Sequence, residues 1–417
     1  MTWTPRLIQP DEIDAVADLL ATAFGSGPTA PPDHRAEIEA MAELDRVFVV
    51  EDEGRFVGTA AALSLDVALP GGSVGVAGLT EVSVLPTHRR RGLLSALIES
   101  VHDQAVERGE PLAGLTASEG GIYRRFGYGV ASRFQLVRID AHRTAEALAV
   151  EGTGTSPGDS GGGRIRLVRE DEATAILPAV WDRHRRRVPG ELHRTPGLWA
   201  AEALDNEHTR GGASTRFIAV HDDEGGRPDG FVTYRIAQGW SDGGPNHEVR
   251  VQTLAAASDG VEAELVRFLF DIDLVGTVIW HAPVDMPLRW RLADPRALTV
   301  RAEADHLWLR PLDVAACLSA RRYATEGELV LGVVDRRRDG GGGYRLQAGP
   351  DGGRCERTDA APDLVLDTAE VGSVLAGGAT WRTLARAGRI AERTPGALDR
   401  ADALFRPERA PFCGTDF

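Results

Sequence analysis

The sequence predicts a chain of several domains that combines an α/β fold near its amino terminus with an α+β fold near its carboxyl terminus. Three observations predict this. The elements between residues 10 and 116 follow the order helix, hairpin, strand, helix, strand, which is typical of a mixed sheet. A weaker copy of the hairpin, strand and helix lies over residues 217–270. Beyond residue 306, helices and alternating strands suit a sheet with one exposed face.

The first region is predicted in detail by its periodicity. Apolar residues at helical spacing predict a helix over residues 10–24. Two strand patterns on either side of the acidic Gly turn at 51–54 predict a hairpin of residues 47–60. A strand at 79–85, a helix from Leu93 that stops at Gly109, and a buried strand at 111–116 complete the region. At 417 residues the chain is too long for one ordinary core, so two to three domains are expected.

The second region repeats part of the first. Residues 151–163 are rich in Gly, Ser and Thr and are predicted to form a surface loop between the two copies. A hairpin at 217–233, a strand at 247–254 and a helix at 262–270 then follow. Acidic residues in the turn 258–262 of this copy would repel a phosphate, so the second copy is expected not to bind a cofactor.

The third region is predicted to be α+β. Its predicted helices and strands lie at 313–321 (helix), 328–335 and 343–348 (strands), and 369–376 and 380–387 (helices).

Composition narrows the class of protein. Lys and Arg number 47 against 62 Asp and Glu, a formal charge of −15, which disfavours nucleic acid as a partner and favours cationic small molecules. Cys317, Cys355 and Cys413 form neither an even disulfide set nor a metal-ligand spacing, so a reducing cytoplasm and no metal are expected. The start of the chain lacks a signal-peptide pattern, and the sequence has no long apolar run, so no membrane association is expected.

The turn between the strand at 79–85 and the following helix is typical of a phosphate-binding site. It contains Arg89, Arg90, Arg91 and Gly92, and we call it the basic turn. A helix N-terminus offers unpaired N–H groups and partial positive charge, and a glycine lets the main chain approach a ligand closely. Two other arginine triplets, at 185–187 and 336–338, lack this context and are expected to be solvated.

Two more features of the sequence stand out. Tyr123 lies four residues before the Gly127-Tyr128 pair, in the segment Ser-Glu-Gly-Gly-Ile-Tyr-Arg-Arg-Phe-Gly-Tyr-Gly. The chain also finishes on Phe417, an aromatic residue that would gain by docking and would carry the terminal carboxylate with it.

The basic turn resembles the cofactor motif of the GNAT acetyltransferase superfamily, Gln/Arg-x-x-Gly-x-Gly/Ala after a bulged strand, with Leu94 in place of the small final residue. The Tyr123 spacing before Gly127-Tyr128 is also similar to that of GNAT enzymes. Two repeated α/β regions followed by an α+β region, the segment Ser-Glu-Gly-Gly-Ile-Tyr and the terminal Phe417 make the whole chain resemble the Eis (enhanced intracellular survival) family. The resemblance implies a GNAT domain at 1–140 that binds acetyl-CoA, a degenerate GNAT-like domain at 141–300, and a sterol carrier protein-like domain at 301–417.

The resemblance also implies roles for individual residues. Tyr123 would be the general acid and the carboxylate of Phe417 the general base. The acetyl-CoA site would comprise Val82, Ser83, Val84, Arg89, Arg90, Arg91, Gly92, Leu93, Leu94, Ser95, Ser118 and Glu119.

The expected function is acetyl-CoA-dependent N-acetylation of aminoglycoside-like or other polyamine molecules, by direct transfer through a ternary complex. No cysteine lies in a motif typical of a nucleophile, which agrees with direct transfer. The alternatives are a protein lysine acetyltransferase and a lipid- or sterol-binding protein with inactive acetyltransferase halves. By family analogy the chain is expected to form a homo-oligomer, a hexamer. Phe24 is expected in the core rather than in the acceptor pocket.

Overall fold

The computed structural model describes residues 3–144, 163–241, 243–338 and 340–417. The loop predicted at 151–163 lies outside the described residues except for Gly163, which begins a strand.

The α-helices of the described part are α1 Ile13–Phe24, α2 Pro32–Met41, α3 Leu93–Glu107, α4 Glu170–Arg185, α5 Pro196–Ala203, α6 Asp259–Phe270, α7 Leu288–Arg291, α8 Val314–Ser319, α9 Thr368–Leu375, α10 Trp381–Arg386 and α11 Ala397–Phe405. The strands are β1 Arg6–Leu7, β2 Val47–Asp52, β3 Arg55–Leu69, β4 Gly72–Val84, β5 Leu112–Thr116, β6 Gly129–Val130, β7 Arg133–Asp140, β8 Gly163–Val168, β9 Phe217–Asp223, β10 Pro228–Ala237, β11 Trp240–Ser241, β12 Gly244–Pro245, β13 His247–Ala256, β14 Val275–Pro283, β15 Leu298–Asp305, β16 Leu307–Pro311, β17 Gly327–Val334, β18 Gly342–Gly349, β19 Gly352–Arg357, β20 Leu364–Asp367 and β21 Ile390–Glu392.

The chain divides into two compact units, and neither is continuous in sequence. The first unit contains Met1–Ser132, Pro189–Leu204 and Asp305–Phe417, and the second contains Arg133–Val188 and Asp205–Ala304. The short segment Pro189–Leu204 therefore belongs with the two ends of the chain.

The first unit contains the predicted mixed sheet, in the strand order β1-β2-β3-β4-β5-β16-β6. Strands β2, β3 and β4 pair antiparallel, and β4 and β5 pair parallel through the crossover helix α3. Residues Leu93, Leu97 and Val101 recur at helical spacing and are all buried against the sheet. Gly109, with φ of 75°, follows the end of α3 as predicted.

Strand β4 is irregular where it passes the end of α3. Its register against β3 shifts between Thr80 and Ser83, which makes a bulge at Glu81 and Val82. The described pairing of β4 with β5 ends at Gly78 and its partner Gly114, although both strands continue beyond that point. The two strands therefore diverge, and the backbone of β4 after Gly78 faces an opening.

The carboxyl-terminal part of the first unit is α+β, as predicted. Its five strands have the order β19-β18-β17-β20-β21. Helix α9 is buried along its whole length, and Trp381 at the start of α10 is buried in the same core.

The second unit confirms the predicted repeat. Its sheet has the order β15-β7-β14-β13-β10-β9-β8, with β13 and β14 parallel around α6. The β10–β13 pairing is also bulged, between Thr233 and Tyr234. The expectation that residues 185–187 form a solvated face is wrong for Arg185, which is buried and paired with Asp182 at 2.8 Å.

Helix α2 was not predicted from the sequence, because Ile38 is its only fully buried residue and its apolar periodicity is weak. Among the residues that the structure describes, no helix combines the length and the apolar character needed to cross a bilayer.

Candidate active site

A cavity of about 900 Å³ opens in the first unit beside the bulge of β4, and we call it the β4 cavity. Its walls come from the bulge, the basic turn, the end of α1, the segment after β5 and the last residue of the chain. It brings together thirteen of the fourteen residues predicted for the site: Val82, Ser83, Val84, Arg89, Arg90, Gly92, Leu93, Leu94, Ser95, Ser118, Glu119, Tyr123 and Phe417.

The remaining predicted residue, Arg91, does not line the cavity. It is exposed, and its backbone carbonyl accepts a hydrogen bond from the indole nitrogen of Trp3 at 2.9 Å. Arg90 has φ of 63° and Gly92 has φ of 89°, so the turn twists between successive arginines and directs them differently. A methyl group at position 92 would meet no protein atom within 4 Å, so within the protein itself this glycine is needed for its left-handed backbone.

The basic turn fits a pyrophosphate. Helix α3 begins immediately after Gly92, so the first N–H groups of the helix have no partner within it. Arg89 and Arg90 are exposed toward the cavity, and Arg89 is held by a hydrogen bond from its Nε to the carbonyl of Val84 at 3.3 Å. Both the partial charge of the helix and the two guanidinium groups favour an anion here.

The bulged strand fits a polar ligand. Ser83 lines the cavity, yet its hydroxyl oxygen is buried and has no hydrogen-bond partner within the described structure. A buried hydroxyl without a partner is costly, and a ligand in the opening between β4 and β5 can satisfy it.

Tyr123 lies at the start of a 3-10 helix, Tyr123–Phe126, that Gly127 ends with φ of 85°. Its ring packs edge to face on the ring of Tyr128, with centroids 6.1 Å apart. Burial and, secondarily, the charge of Glu119 raise the pKa of Tyr123. The phenol is therefore both part of the core and a protonated group on the cavity wall.

The last residues of the chain are docked. We call residues 411–417 the C-terminal tail, and within it Cys413 and Thr415 are buried. The ring of Phe417 packs beside Gly78 of β4. The hydroxyl of Thr116 lies 3.5 Å from the backbone oxygen of Phe417. The terminal residue and Tyr123 thus line the same cavity.

Sequence reasoning missed Glu81. It is the residue of the bulge with φ of 53°, and it lines the cavity. Burial and then the charge of Glu37 raise its pKa to about 7. A glutamate between the β-branched residues Thr80 and Val82 of the predicted strand was the available signal, since glutamate is disfavoured in strands.

Phe24 differs from expectation: it was expected in the core, but it is 57% exposed at the end of α1 and lines the cavity. Arg337 is exposed, as expected for a solvated face. It also lines the cavity, which was not expected, and its Nε donates to the carbonyl of Arg125 at 3.2 Å. The contact of Arg337 arises from packing between residues more than 200 positions apart, which local sequence patterns do not reveal.

The bulged strand, the divergence of β4 and β5, and the basic turn at the start of α3 define an acetyltransferase of the GNAT class. Residues 4–131 and 190–310 match two acetyltransferase (GNAT) domain families, and residues 314–414 match a sterol carrier protein domain family. The GNAT fold implies that the acyl donor is acetyl-CoA.

The whole chain has close relatives. It is 35% identical to N-acetyltransferase Eis of Mycobacterium bovis, over 96% of this chain and 97% of the relative. It is 36% identical to an uncharacterized N-acetyltransferase of Streptomyces avermitilis, over 97% of this chain and 99% of the relative. The crystal structure of Eis1 from Mycobacterium abscessus matches with a TM-score of 0.83 and 32% identity, over 99% of this chain and 100% of that one. The chain belongs to the Eis family of N-acetyltransferases, which confirms the resemblance seen in the sequence.

Proposed function

We propose that this acetyltransferase transfers the acetyl group of acetyl-CoA directly to an amino group of an aminoglycoside-like or other polyamine molecule. One observation carries the proposal. The phenol of Tyr123 and the terminal residue Phe417 line the same cavity as the basic turn that suits a pyrophosphate. Tyr123 as acid and the Phe417 carboxylate as base would thus both lie in the cavity that we assign to the thioester.

The β4 cavity also has features that suit a cation. Glu81, the carboxyl-terminal residue Phe417 and the exposed Phe24 are all among the residues that line it. Carboxylates attract ammonium groups, and an aromatic face adds a cation–π attraction. A molecule with several amino groups could contact more than one of these sites, and the charge of −15 over the whole chain favours its approach.

Acetyl-CoA supplies the activated acetyl group, and the residues of this chain hold it. Arg89, Arg90 and the first N–H groups of α3 would bind the pyrophosphate. The backbone of β4 from Val82 to Val84 would pair with the pantetheine arm, with N–H groups near Val84 polarising the thioester carbonyl.

We assign the two proton transfers to the Phe417 carboxylate and to Tyr123. An alkyl ammonium with a pKa of about 10.4 is neutral in roughly one part per thousand at pH 7, so the carboxylate of Phe417 would accept its proton. Tyr123, whose raised pKa keeps it protonated, would then donate to the departing thiolate sulfur.

Direct transfer is supported by the cysteines. Cys317, Cys355 and Cys413 are all buried, and burial raises the pKa of each thiol, that of Cys355 to about 12. A thiol that remains protonated is a poor nucleophile, and none of the three is among the residues that line the β4 cavity.

The test is a substrate panel read by thiol release from acetyl-CoA, with aminoglycosides, linear diamines and lysine peptides as acceptors. We expect turnover of the small polyamines and intersecting initial-velocity lines when both substrates are varied. Faster turnover of lysine peptides would favour protein acetylation instead. Parallel lines would contradict the ternary complex, and co-purified lipid without thiol release would favour a lipid-binding protein.

A further inference from the structure

The C-terminal tail is held by two buried ionisable side chains from the segment Pro189–Leu204. Glu191 is fully buried and Arg194 is 6% exposed. The N–H of Gly414 donates to Oε1 of Glu191 at 2.7 Å, and the carbonyl of Gly414 accepts from Nη2 of Arg194 at 3.0 Å. Both backbone polar groups of one tail residue are therefore bound by this pair.

Arg194 is itself fixed in orientation. Its Nε donates to the hydroxyl of Thr415 at 3.1 Å, and its Nη1 donates to Glu202 of α5 at 2.8 Å. The ring of Trp199, also on α5, lies 5.0 Å from the guanidinium carbon. A guanidinium donates along a planar fork, so contacts on opposite sides define its position. Helix α5 thus holds the side of Arg194 that faces away from the tail.

The segment that carries the pair is bound to the sheet of the β4 cavity. The N–H of Gly190 donates to the carbonyl of Ala68 on β3 at 2.8 Å, and the N–H of Ala68 donates back to the carbonyl of Glu191 at 2.8 Å. Strand β3 pairs directly with β4, whose bulge forms the cavity wall. The C-terminal tail and the β4 cavity are therefore both anchored to the sheet that contains β3 and β4.

We propose that Arg194 and Glu191 are positioning residues that set the place of the Phe417 carboxylate in the β4 cavity. This inference rests on the proposed role of that carboxylate as a base. Three residues follow Gly414, and one of them, Asp416, is also held by a contact of 2.8 Å between its Oδ1 and Nε2 of His306. Loss of the contacts at Gly414 and Thr415 would therefore shift the carboxylate rather than free the tail. A displacement of about 1 Å at a reacting group can cost on the order of 100-fold in rate.

The position of the tail is tested without activity by carboxypeptidase digestion of the full-length protein. We expect slow release of Phe417 from the unaltered protein and release at least about 10-fold faster from Arg194→Gln, because the latter lacks the fork that binds Gly414 and Thr415. Thr415→Val is a milder second variant, which removes only the hydroxyl bound by Arg194 and is expected to speed release less. Arg46→Gln is the matched control, since Arg46 is a fully buried arginine whose guanidinium donates to Glu110 and Ser64 rather than to the tail.

The effect on catalysis is tested by a double-mutant cycle between Arg194→Gln and deletion of Phe417. If Arg194 acts through the tail, the substitution lowers kcat about 10-fold or more in the full-length chain and has no further effect once Phe417 is absent. The KM for acetyl-CoA is expected to stay within about 2-fold, because Arg194 is not a cavity residue.

The outcomes separate this inference from the proposed function. Equal loss from Arg194→Gln in both chains, or unchanged release of Phe417, overturns the positioning role. Rapid release of Phe417 from Arg194→Gln together with full activity upholds positioning and overturns the base assigned to Phe417. Failure of the unaltered protein to acetylate any amine would overturn the proposed function. The digestion result would still decide whether Arg194 holds the tail.

Discussion

The ring of Phe417 lies directly against Gly78 of β4. A methyl group at position 78 would stand 3.0 Å from Cε2 of Phe417 and 2.5 Å from Cδ1 of Leu65. Gly78 is also the last residue of β4 that pairs with β5. The last residue of the chain therefore occupies the place where the two strands diverge.

The substitution Gly78→Ala should displace the terminal ring and lower kcat by about 10-fold or more, since misplacement of a reacting group by about 1 Å is costly. The measurement is steady-state turnover of a diamine at saturating acetyl-CoA. Gly75→Ala on the same strand is the control, because a methyl group there meets no atom within 4 Å. Similar losses from both variants would show that β4 is merely intolerant of alanine.

Replacing Tyr123 by Phe should lower turnover by roughly 100-fold and leave the dissociation constant of acetyl-CoA nearly unchanged, because only the proton donor is lost. Tyr128→Phe is the control. Its hydroxyl contacts the ring of His102 at 2.8 Å, so its loss should reduce stability by about 1 kcal/mol without comparable loss of kcat. Unchanged turnover in Tyr123→Phe would remove the acid role.

Charge reversal in the basic turn should raise the KM for acetyl-CoA selectively. Arg89→Glu and Arg90→Glu each replace a cavity guanidinium, and we expect increases of about 10-fold or more. Arg91→Glu should raise the KM less, because Arg91 does not line the cavity. Arg186→Glu should have almost no effect, because Arg186 follows the end of α4 and is not a cavity residue. Equal effects at all four positions would indicate general electrostatics rather than a phosphate site.

The contribution of Glu191 to the stability of the protein should fall between about pH 4.5 and 7. Burial raises its pKa from 4.5 to about 7, with Arg194 and the N–H of Gly414 opposing the shift. In this window the folded state holds a proton that the unfolded state has released, so rising pH disfavours folding by up to about 3 kcal/mol.

Urea unfolding at pH 5 and pH 8 measures this effect. Glu191→Gln should have a smaller decrease in unfolding free energy between the two pH values than the unaltered protein. Glu326→Gln, at an exposed position, should retain the full decrease. An unchanged pH dependence in Glu191→Gln would contradict the assignment.

Much of the amino-terminal part of the first unit was predictable, because the sequence patterns that indicate its elements are local. The hairpin of β2 and β3, helix α3 and the basic turn each follow from periodicity and turn residues within about twenty positions. The repeat in the second unit was visible for the same reason.

What the sequence did not reveal depends on pairing between distant segments. The cavity position of Glu81 depends on the register shift between β3 and β4, and alternation alone places residues only on the two faces of a regular strand. The role of Arg194 requires the segment Pro189–Leu204 to join the first unit, which no linear pattern indicates.

The most direct test concerns the charge of the final carboxylate. Cys413 is the first of the last five residues of the chain. Because a peptide that begins with cysteine reacts with a thioester, residues 1–412 bearing a carboxyl-terminal thioester can be ligated to a synthetic peptide of residues 413–417. Two products would be compared, one with the natural carboxylate and one with a carboxamide that keeps the Phe417 ring. We predict that the carboxamide form binds acetyl-CoA normally but turns over a polyamine about 100-fold more slowly. Equal turnover by the two ligated proteins would contradict the account.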